Sequence, residues 1–395
     1  MGIIFESDTI LQNPQATATH VLLVGCGEYP HLAAAGFGGL KPLTSPRLSA
    51  EAMANWFLSG PDAMPVGLAL PSDRAFYNPE APLGSLVMLT SPAEPYQAPS
   101  GVVSPTTRPT LANIRAAYLQ WLARLGANPG SRGVFHFCGH GVSNGISQYL
   151  VADDFGDPPD DPWSGVFHVS NTCQATIRKT AASLFFLVDA CMELSEELIN
   201  QIDDPQALIP GKRNGPPQTT EWAVLRATTA NRLAYAPQDG VARFTAALLQ
   251  ALGGHCGSQR ADGAGFDVGV SDLRDATAAF LALSQQMATG ERQKLGQTEG
   301  EGDWSVAMHV QTQRPSVLVE MDVQPEGYRP VARAFMEDAA QQRDLKTLAG
   351  GPARFVKEQG EWSYGTNAQN NEYPEQFYAR QFLTRAVHTC RFRIP

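Results

Sequence analysis

The stretch Gly133-Val-Phe-His-Phe-Cys-Gly-His-Gly141 reads as a β-strand, Val134 to Phe137, that breaks at glycine and delivers His140. A second apolar run, Leu184-Phe-Phe-Leu-Val188, ends in the same way and delivers Asp189-Ala190-Cys191. Continuous apolar runs of this length suit strands covered on both faces. Parallel strands bring their carboxyl ends to one edge of a sheet, where open α/β folds gather their chemistry. Two strands that each stop at one reactive side chain therefore predict a Cys/His nucleophilic pair.

The flanking chain repeats the pattern of apolar strand and amphipathic helix. His20–Gly25, Ser85–Thr90, Gln148–Ala152, Trp222–Ala227 and Trp304–Val310 read as further strands. Helices are expected near Arg47–Leu58, Thr110–Leu125 and Phe244–Leu252, and from an N-cap at Ser271 through Met287. Leu194, Leu198, Ile199 and Ile202 predict another just beyond Cys191. Alternation of this kind implies an α/β fold with a mostly parallel, six-stranded sheet between helical layers. Residues 1–19 read as a loose N-terminal arm and 20–311 as the main domain. Residues 312–395 hold 11 Lys/Arg against 10 Asp/Glu, whereas the chain as a whole carries −10, and they read as a smaller α+β unit.

Composition limits the function. A net charge of −10 argues against nucleic-acid binding, which needs Lys and Arg to neutralise phosphates. No apolar run is long enough to span a membrane, and no signal peptide is visible. Six cysteines spread over 395 residues suit reduced thiols, so a cytoplasmic protein is expected.

A thiol attacks a carbonyl as thiolate, and a neighbouring imidazole supplies the base. Cys191 is the candidate nucleophile and His140 the candidate base. Backbone N–H groups of Gly141 and Cys191 are the candidate oxyanion donors, since both follow strand ends. Taken singly, a cysteine and a histidine would each more often be core residues. Two other patterns compete. Gly141-Val-Ser-Asn-Gly145 matches the G-x-S-x-G elbow, but a strand rather than a helix is expected next, which weighs against Ser143. His136, Cys138 and His140 share one strand face, yet no second Cys/His pair completes a zinc site, so no metal is expected and His136 and Cys138 read as sheet core.

Phe137-Cys-Gly-His-Gly141 followed by Tyr149-Leu150, then Phe186-Leu-Val-Asp-Ala-Cys191, resembles the caspase-like cysteine peptidases, the clan that includes caspases, metacaspases and bacterial relatives. The gap of 51 residues from His140 to Cys191 is close to the spacing of about 50 known in caspases. Leu22–Gly25, Val224–Thr228, Arg243–Leu249 and Gln297-Thr298 are similar to further core segments of that clan. The resemblance covers residues 20–311 and implies an α/β/α sandwich with endopeptidase activity through the His140–Cys191 dyad. It also implies that Asp189 helps form an S1 pocket for Arg or Lys, against the competing reading that Asp189 only caps the turn or a following helix N-terminus, while Arg47 would instead favour an acidic P1 residue. A basic P1 is the expectation. Ser49 and Met192-Glu193 depart from the clan's pattern. The linker Pro210-Gly-Lys-Arg-Asn214 lies where caspases carry a processing loop, which makes Lys212 and Arg213 candidate self-cleavage points.

The chemistry needs no cofactor. Trp362, Tyr364, Tyr373, Phe377 and Tyr378 with Arg380 and Arg385 could stack on and pair with a nucleotide, or simply form a core. Bacterial relatives in the clan serve as regulated effectors in stress or anti-phage responses. A protein substrate is thus expected, with a small nucleotide or a regulatory protein as the activator. The alternative is a caspase-fold scaffold that binds a ligand or partner without cleaving it.

Overall fold

The computed structural model describes residues 2–32, 41–64, 74–145, 147–194 (only the backbone of Glu193 and Leu194), 205–211, 218, 221–229, 234, 237, 239–285, 292–302 and 306–395. Its centre is a seven-stranded sheet. The strands are β1 (Ile3–Glu6), β2 (Thr19–Gly25), β3 (Leu83–Thr90), β4 (Arg132–Gly139), β8 (Ser183–Ala190), β10 (Trp222–Arg226) and β11 (Glu299–Glu301). Between β4 and β8 the chain forms β5 (Gly141–Ser143), β6 (Gln148–Val151) and β7 (Val166–His168), and beyond β8 it forms β9 (Glu193–Leu194). These four make a small sheet in the order β9-β5-β6-β7.

The large sheet runs β1-β3-β2-β4-β8-β10-β11. The five inner strands are parallel, and β1 and β11 close the two edges antiparallel. Alternate residues feed opposite faces, as the pleat requires. Leu22, Phe135, Phe137 and Phe186 pack under α3 (Leu111–Gly126) and α4 (Val169–Thr176), against Tyr118 and Trp121. Val21, Leu23, Val134, Phe185 and Leu187 pack under α2 (Ser45–Leu58), α5 (Arg243–Leu252) and α6 (Val270–Ser284), against Met53, Phe244 and Phe280. This is the expected layered α/β architecture. Burying both faces explains why the inner strands read as unbroken apolar runs.

Several sequence expectations change. Residues 1–19 are not a loose arm: β1 pairs with β3, Ile4 and Phe5 pack against the core, and Ser7 caps α1 (Asp8–Gln12) by accepting the Ile10 N–H at 3.3 Å. The sheet has seven strands, because a short edge strand needs only one partner and so carries a weak signal. The strand expected at Trp304–Val310 is found at His309–Gln311, and it pairs with Phe266–Val268 in a separate three-stranded sheet. Trp304 lies outside the described residues. So do residues 195–204, expected as a helix after Cys191, together with Lys212 and Arg213.

The C-terminal unit, expected as α+β, is built from strands and one 3-10 turn. It comprises β12 (Ser316–Gln324), β13 (Ala332–Glu337), β14 (Arg343–Thr347), β15 (Ala353–Glu358), β16 (Gly360–Ala368), β17 (Gln376–Leu383) and β18 (Val387–Arg393). The sheets β15-β12-β18 and β14-β13-β16-β17 share one core, with Val319, Met321, Phe355 and Phe392 from the first against Ala334, Met336 and Tyr364 from the second. The tail's aromatics therefore divide. Tyr364 and Tyr373 are buried in this sandwich, whereas Phe377, Tyr378 and Phe382 are exposed on the edge strand β17. Leu318, Ala386 and Val387 join the unit to the α5–α6 face of the main domain.

Candidate active site

Among the five parallel strands, the chain's first strand lies between its second and third. The crossover direction therefore reverses between β2 and β4, and the carboxyl ends there are where ligands of open α/β sheets bind. The loop after β2 brings Tyr29 to this point, the end of β4 brings His140, and the end of β8 brings Cys191. Gly139 pairs directly with Ala190 in the parallel β4–β8 ladder, so His140 and Cys191 are the first residues beyond neighbouring strand ends. Adjacent strands are separated by roughly 4.8 Å. Gly141 lies closer still. A Cβ built there would meet the Cys191 carbonyl oxygen at 2.4 Å and the Ala190 Cβ at 2.9 Å, a contact only glycine permits.

His140 is held from three sides. Its backbone N–H donates to the Tyr29 hydroxyl at 2.8 Å, and its ring lies 4.8 Å from the Tyr29 ring. Nε2 is 2.7 Å from the Lys41 carbonyl. A carbonyl only accepts, so this contact puts the proton on Nε2 and leaves Nδ1 with its lone pair. Burial lowers the His140 pKa, while the Lys41 carbonyl acts against that shift, and the neutral form prevails at pH 7. Tyr29 is itself fixed at a left-handed φ of 48°, where its N–H donates to Asp153 at 3.2 Å. Asp153 pairs with Arg108 at 2.7 Å. Burial pushes the Tyr29 phenol well up, so it stays protonated.

Cys191 is partly exposed, whereas Cys26, Cys138, Cys173 and Cys256 are buried, and none of the six cysteines is in a disulfide. The Ala234 N–H donates to its Sγ at 3.1 Å. Asp189, one strand position before Ala190, turns to the α5 side. It is 3% exposed and accepts the Thr245 N–H at 3.0 Å and the Thr245 hydroxyl at 2.6 Å. Thr245 lies in the first turn of α5, so the carboxylate meets the positive end of that helix. Burial raises Asp189 to about 6, against the Thr245 hydrogen bonds, and no cation among the described residues contributes to its ionisation. Arg47 lies in the first turn of α2, beside Gly25 at the end of β2. Its guanidinium pairs with Glu51 at 2.8 Å and with Glu94.

Ser143 is buried on β5 and accepts the Gly145 N–H at 2.9 Å, with strand β6 following. His136 and Cys138 are buried inside β4. Among the described residues no group of three or more His, Cys, Asp or Glu could hold a metal ion. Sequence reasoning missed a second layer. Gln148 donates to the Ala190 and Cys191 carbonyls at 3.3 and 3.0 Å, and Arg226 in turn donates to Gln148 at 3.0 Å. A buried glutamine and arginine at the ends of apolar strands were the available signal, since such groups need partners.

The family model for peptidase C14, described as the caspase domain, matches residues 18–315. The chain belongs to the caspase-domain family. Its caspase domain spans β2 to the last residue before β12, and the C-terminal sandwich lies beyond the match. A protein of Sinorhizobium fredii (strain NBRC 101917 / NGR234), "Uncharacterized protein y4kE", is 57% identical over 337 residues, which is 85% of this chain and 97% of that protein. Among solved structures, caspase-1 from Spodoptera frugiperda matches with a TM-score of 0.40 at 10% identity, over 75% of this chain and 88% of that one. The caspase domain is one of cysteine peptidases, whose substrates are proteins. No helix among the described residues is long and apolar enough to cross a membrane.

Proposed function

We propose that this caspase domain is a cysteine endopeptidase with Cys191 as nucleophile and His140 as base. The observation that carries the reading is the pairing of Gly139 with Ala190, which starts both reactive residues side by side. In this mechanism Nδ1 of His140 takes the thiol proton and the thiolate adds to the scissile carbonyl. The imidazolium then protonates the departing amine, and water hydrolyses the thioester. The N–H groups of Gly141 and Cys191 receive the oxyanion. The register supports Gly141 in that role. Val151 N–H donates to the His140 carbonyl at 3.1 Å, which makes Gly141–Leu150 a non-hydrogen-bonded pair and turns the Gly141 N–H away from β6.

Basic P1 residues are the better supported choice. Arg47 has its charge answered by Glu51 and Glu94, whereas Asp189, held by Thr245, has no cation beside it among the described residues. The test is hydrolysis of fluorogenic peptides with Arg, Lys or Asp at P1 by wild type, Cys191→Ala and His140→Ala. Arg/Lys cleavage by wild type alone is expected. Equal turnover in all three removes the dyad, an Asp-only enzyme removes the Asp189 assignment, and no turnover in any leaves the scaffold alternative.

The same reading makes the protein a regulated cytoplasmic effector of bacterial stress or anti-phage defence, with the C-terminal sandwich as its sensor for a nucleotide or a regulatory protein. Exposed Phe377, Tyr378 and Phe382 flanking Arg380 on β17 support this, as surfaces able to stack and to pair with phosphate. Stimulation of the peptidase by added nucleotides, lost in Phe382→Ala or Arg380→Ala, is the expected result.

A further inference from the structure

The Cys191 backbone is gripped from behind by a side chain that makes no contact with the nucleophilic sulfur. Gln148, 1% exposed on β6, directs Nε2 at two successive carbonyls, Ala190 at 3.3 Å and Cys191 at 3.0 Å. Its amide orientation is dictated by chemistry. Arg226 has only donors, and its Nε lies 3.0 Å from the other amide atom, which must therefore be the oxygen. Arg226 is anchored in turn. Its Nη2 donates to Glu299 at 2.8 Å and to the Ser170 hydroxyl at 3.4 Å, and Ser170 also reaches Glu299 at 3.2 Å. Strands β6, β10 and β11 and helix α4 thus converge on one amide.

The Ala190 carbonyl and the Cys191 N–H belong to one planar peptide unit. Fixing the oxygen of that unit fixes the direction of its N–H, which points the opposite way. The Cys191 carbonyl fixes the next peptide unit in the same manner. Each donated hydrogen bond also polarises its amide, which strengthens the N–H as a donor. We infer that Gln148, oriented by Arg226, is a positioning residue that aims the Cys191 N–H at the developing oxyanion. This rests on the peptidase reading proposed above and adds a residue that touches neither substrate nor sulfur.

The consequence separates two properties of Cys191. Carbonyl addition needs the oxyanion donors, whereas alkylation of the thiolate by iodoacetamide does not. In the full-length protein, Gln148→Leu removes both donors. Gln148→Glu keeps the bond to Arg226 and faces the carbonyls with oxygen instead. Both are expected to lower kcat roughly 10- to 100-fold with KM within about twofold, part of the loss of about 10²–10³ that follows removal of an oxyanion donor itself. Affinity for a peptide aldehyde, whose thiol adduct carries the same oxyanion, falls by the same factor. The rate and pH profile of Cys191 alkylation stay at the wild-type values.

Turnover and aldehyde affinity within about threefold of wild type in both variants would overturn the inference. So would alkylation that slows in step with kcat, because Gln148 would then merely hold the thiol in place. Gln148→Glu preserves side-chain volume and the Arg226 contact, so it serves if Gln148→Leu fails to fold. A wild type that neither cleaves peptides nor is alkylated at Cys191 overturns the parent reading and this inference with it. An active wild type with unaffected variants overturns this inference alone.

Discussion

His136 and Cys138 carry the same functional groups as His140 and Cys191, and His136, Cys138 and His140 lie within five consecutive residues. Within β4 the side chains of His136 and Cys138 face the α2–α5 layer and are buried. Burial drives His136 down to about 3. It pushes the Cys138 thiol well up, with Asp189 adding to the shift. Two residues further on, the strand has ended. His140 keeps a partly exposed ring on a carbonyl, and Cys191 is partly exposed past its own strand. Residue type supplies the chemistry, but position relative to the last ladder pair decides whether it can be used.

The most forceful way to break this comparison is to delete one member of each pair. Cys191→Ala and His140→Ala are expected to lower peptide hydrolysis by at least about 10³-fold. Cys138→Ala should leave it within about threefold. Equal losses would mean that both pairs serve one site. Reactivity gives a second contrast without mutation. Brief iodoacetamide treatment of native protein at pH 7.5, followed by peptide mapping, should label Cys191 about 100-fold or more faster than Cys138, Cys26, Cys173 or Cys256. Labelling of the buried four should appear only on unfolding.

Acid stability sharpens the comparison further. Burial lowers His136 to about 3 and both His20 and His309 to about 4. Each binds a proton less well folded than unfolded. Stability therefore falls as pH drops below about 6.5, by about 1.4 kcal/mol per pH unit per histidine, until the folded pKa is reached. Asp189 has the opposite sign. Its folded pKa of about 6 exceeds the unfolded 3.8, so between those values the folded state holds the extra proton and gains stability as pH falls. Asp189 offsets one of these three histidines over that window, so these four groups together contribute a loss of roughly 3 kcal/mol per pH unit. Urea midpoints from pH 6.5 to 4.5 would measure it, and His136→Gln should flatten the slope by about 1.4 kcal/mol per unit. A midpoint that does not move would contradict neutral buried histidines.

The smallest expected effect is on packing. Cys138→Ala exchanges a buried thiol for a methyl and should cost about 1 kcal/mol at pH 7.5, read from the urea midpoint. A cost above about 4 kcal/mol would give Cys138 a structural weight its contacts do not suggest.

The sheet was legible where burial is two-sided. Leu184–Val188 is apolar at every position, and Val134–Phe137 at every position but His136, because helices cover both faces. The edges were not. Glu299–Glu301 is polar because it pairs on one side only and its first residue is occupied with Arg226. Ile3–Glu6 was too short to outweigh its polar surroundings. At the candidate site, the two proposed reactive residues were readable from strand ends, while the groups that hold them in place were not. Tyr29 acts through a left-handed backbone and a buried hydroxyl, and Lys41 through its carbonyl, which every residue possesses. Gln148 and Arg226 meet only because β6 and β10 converge, a pairing that sequence spacing does not encode. Asp189 was legible as a carboxylate near a strand end, but its partner Thr245 lies 56 residues away.

The opening and closing strands of the C-terminal sandwich run side by side and parallel, from Leu318 beside Val387 to Gln324 beside Arg393. Every other strand of the unit is synthesised before its first strand gains this second neighbour. A premature stop at Val387, which removes β18 and whatever follows it, would thus strip β12 to a bare margin next to the α5–α6 face it docks on. Raw, unpaired amides there would invite other chains to take the vacant place. The cost of so small a deletion would appear as clumping in the cell rather than as the quiet loss of one short strand.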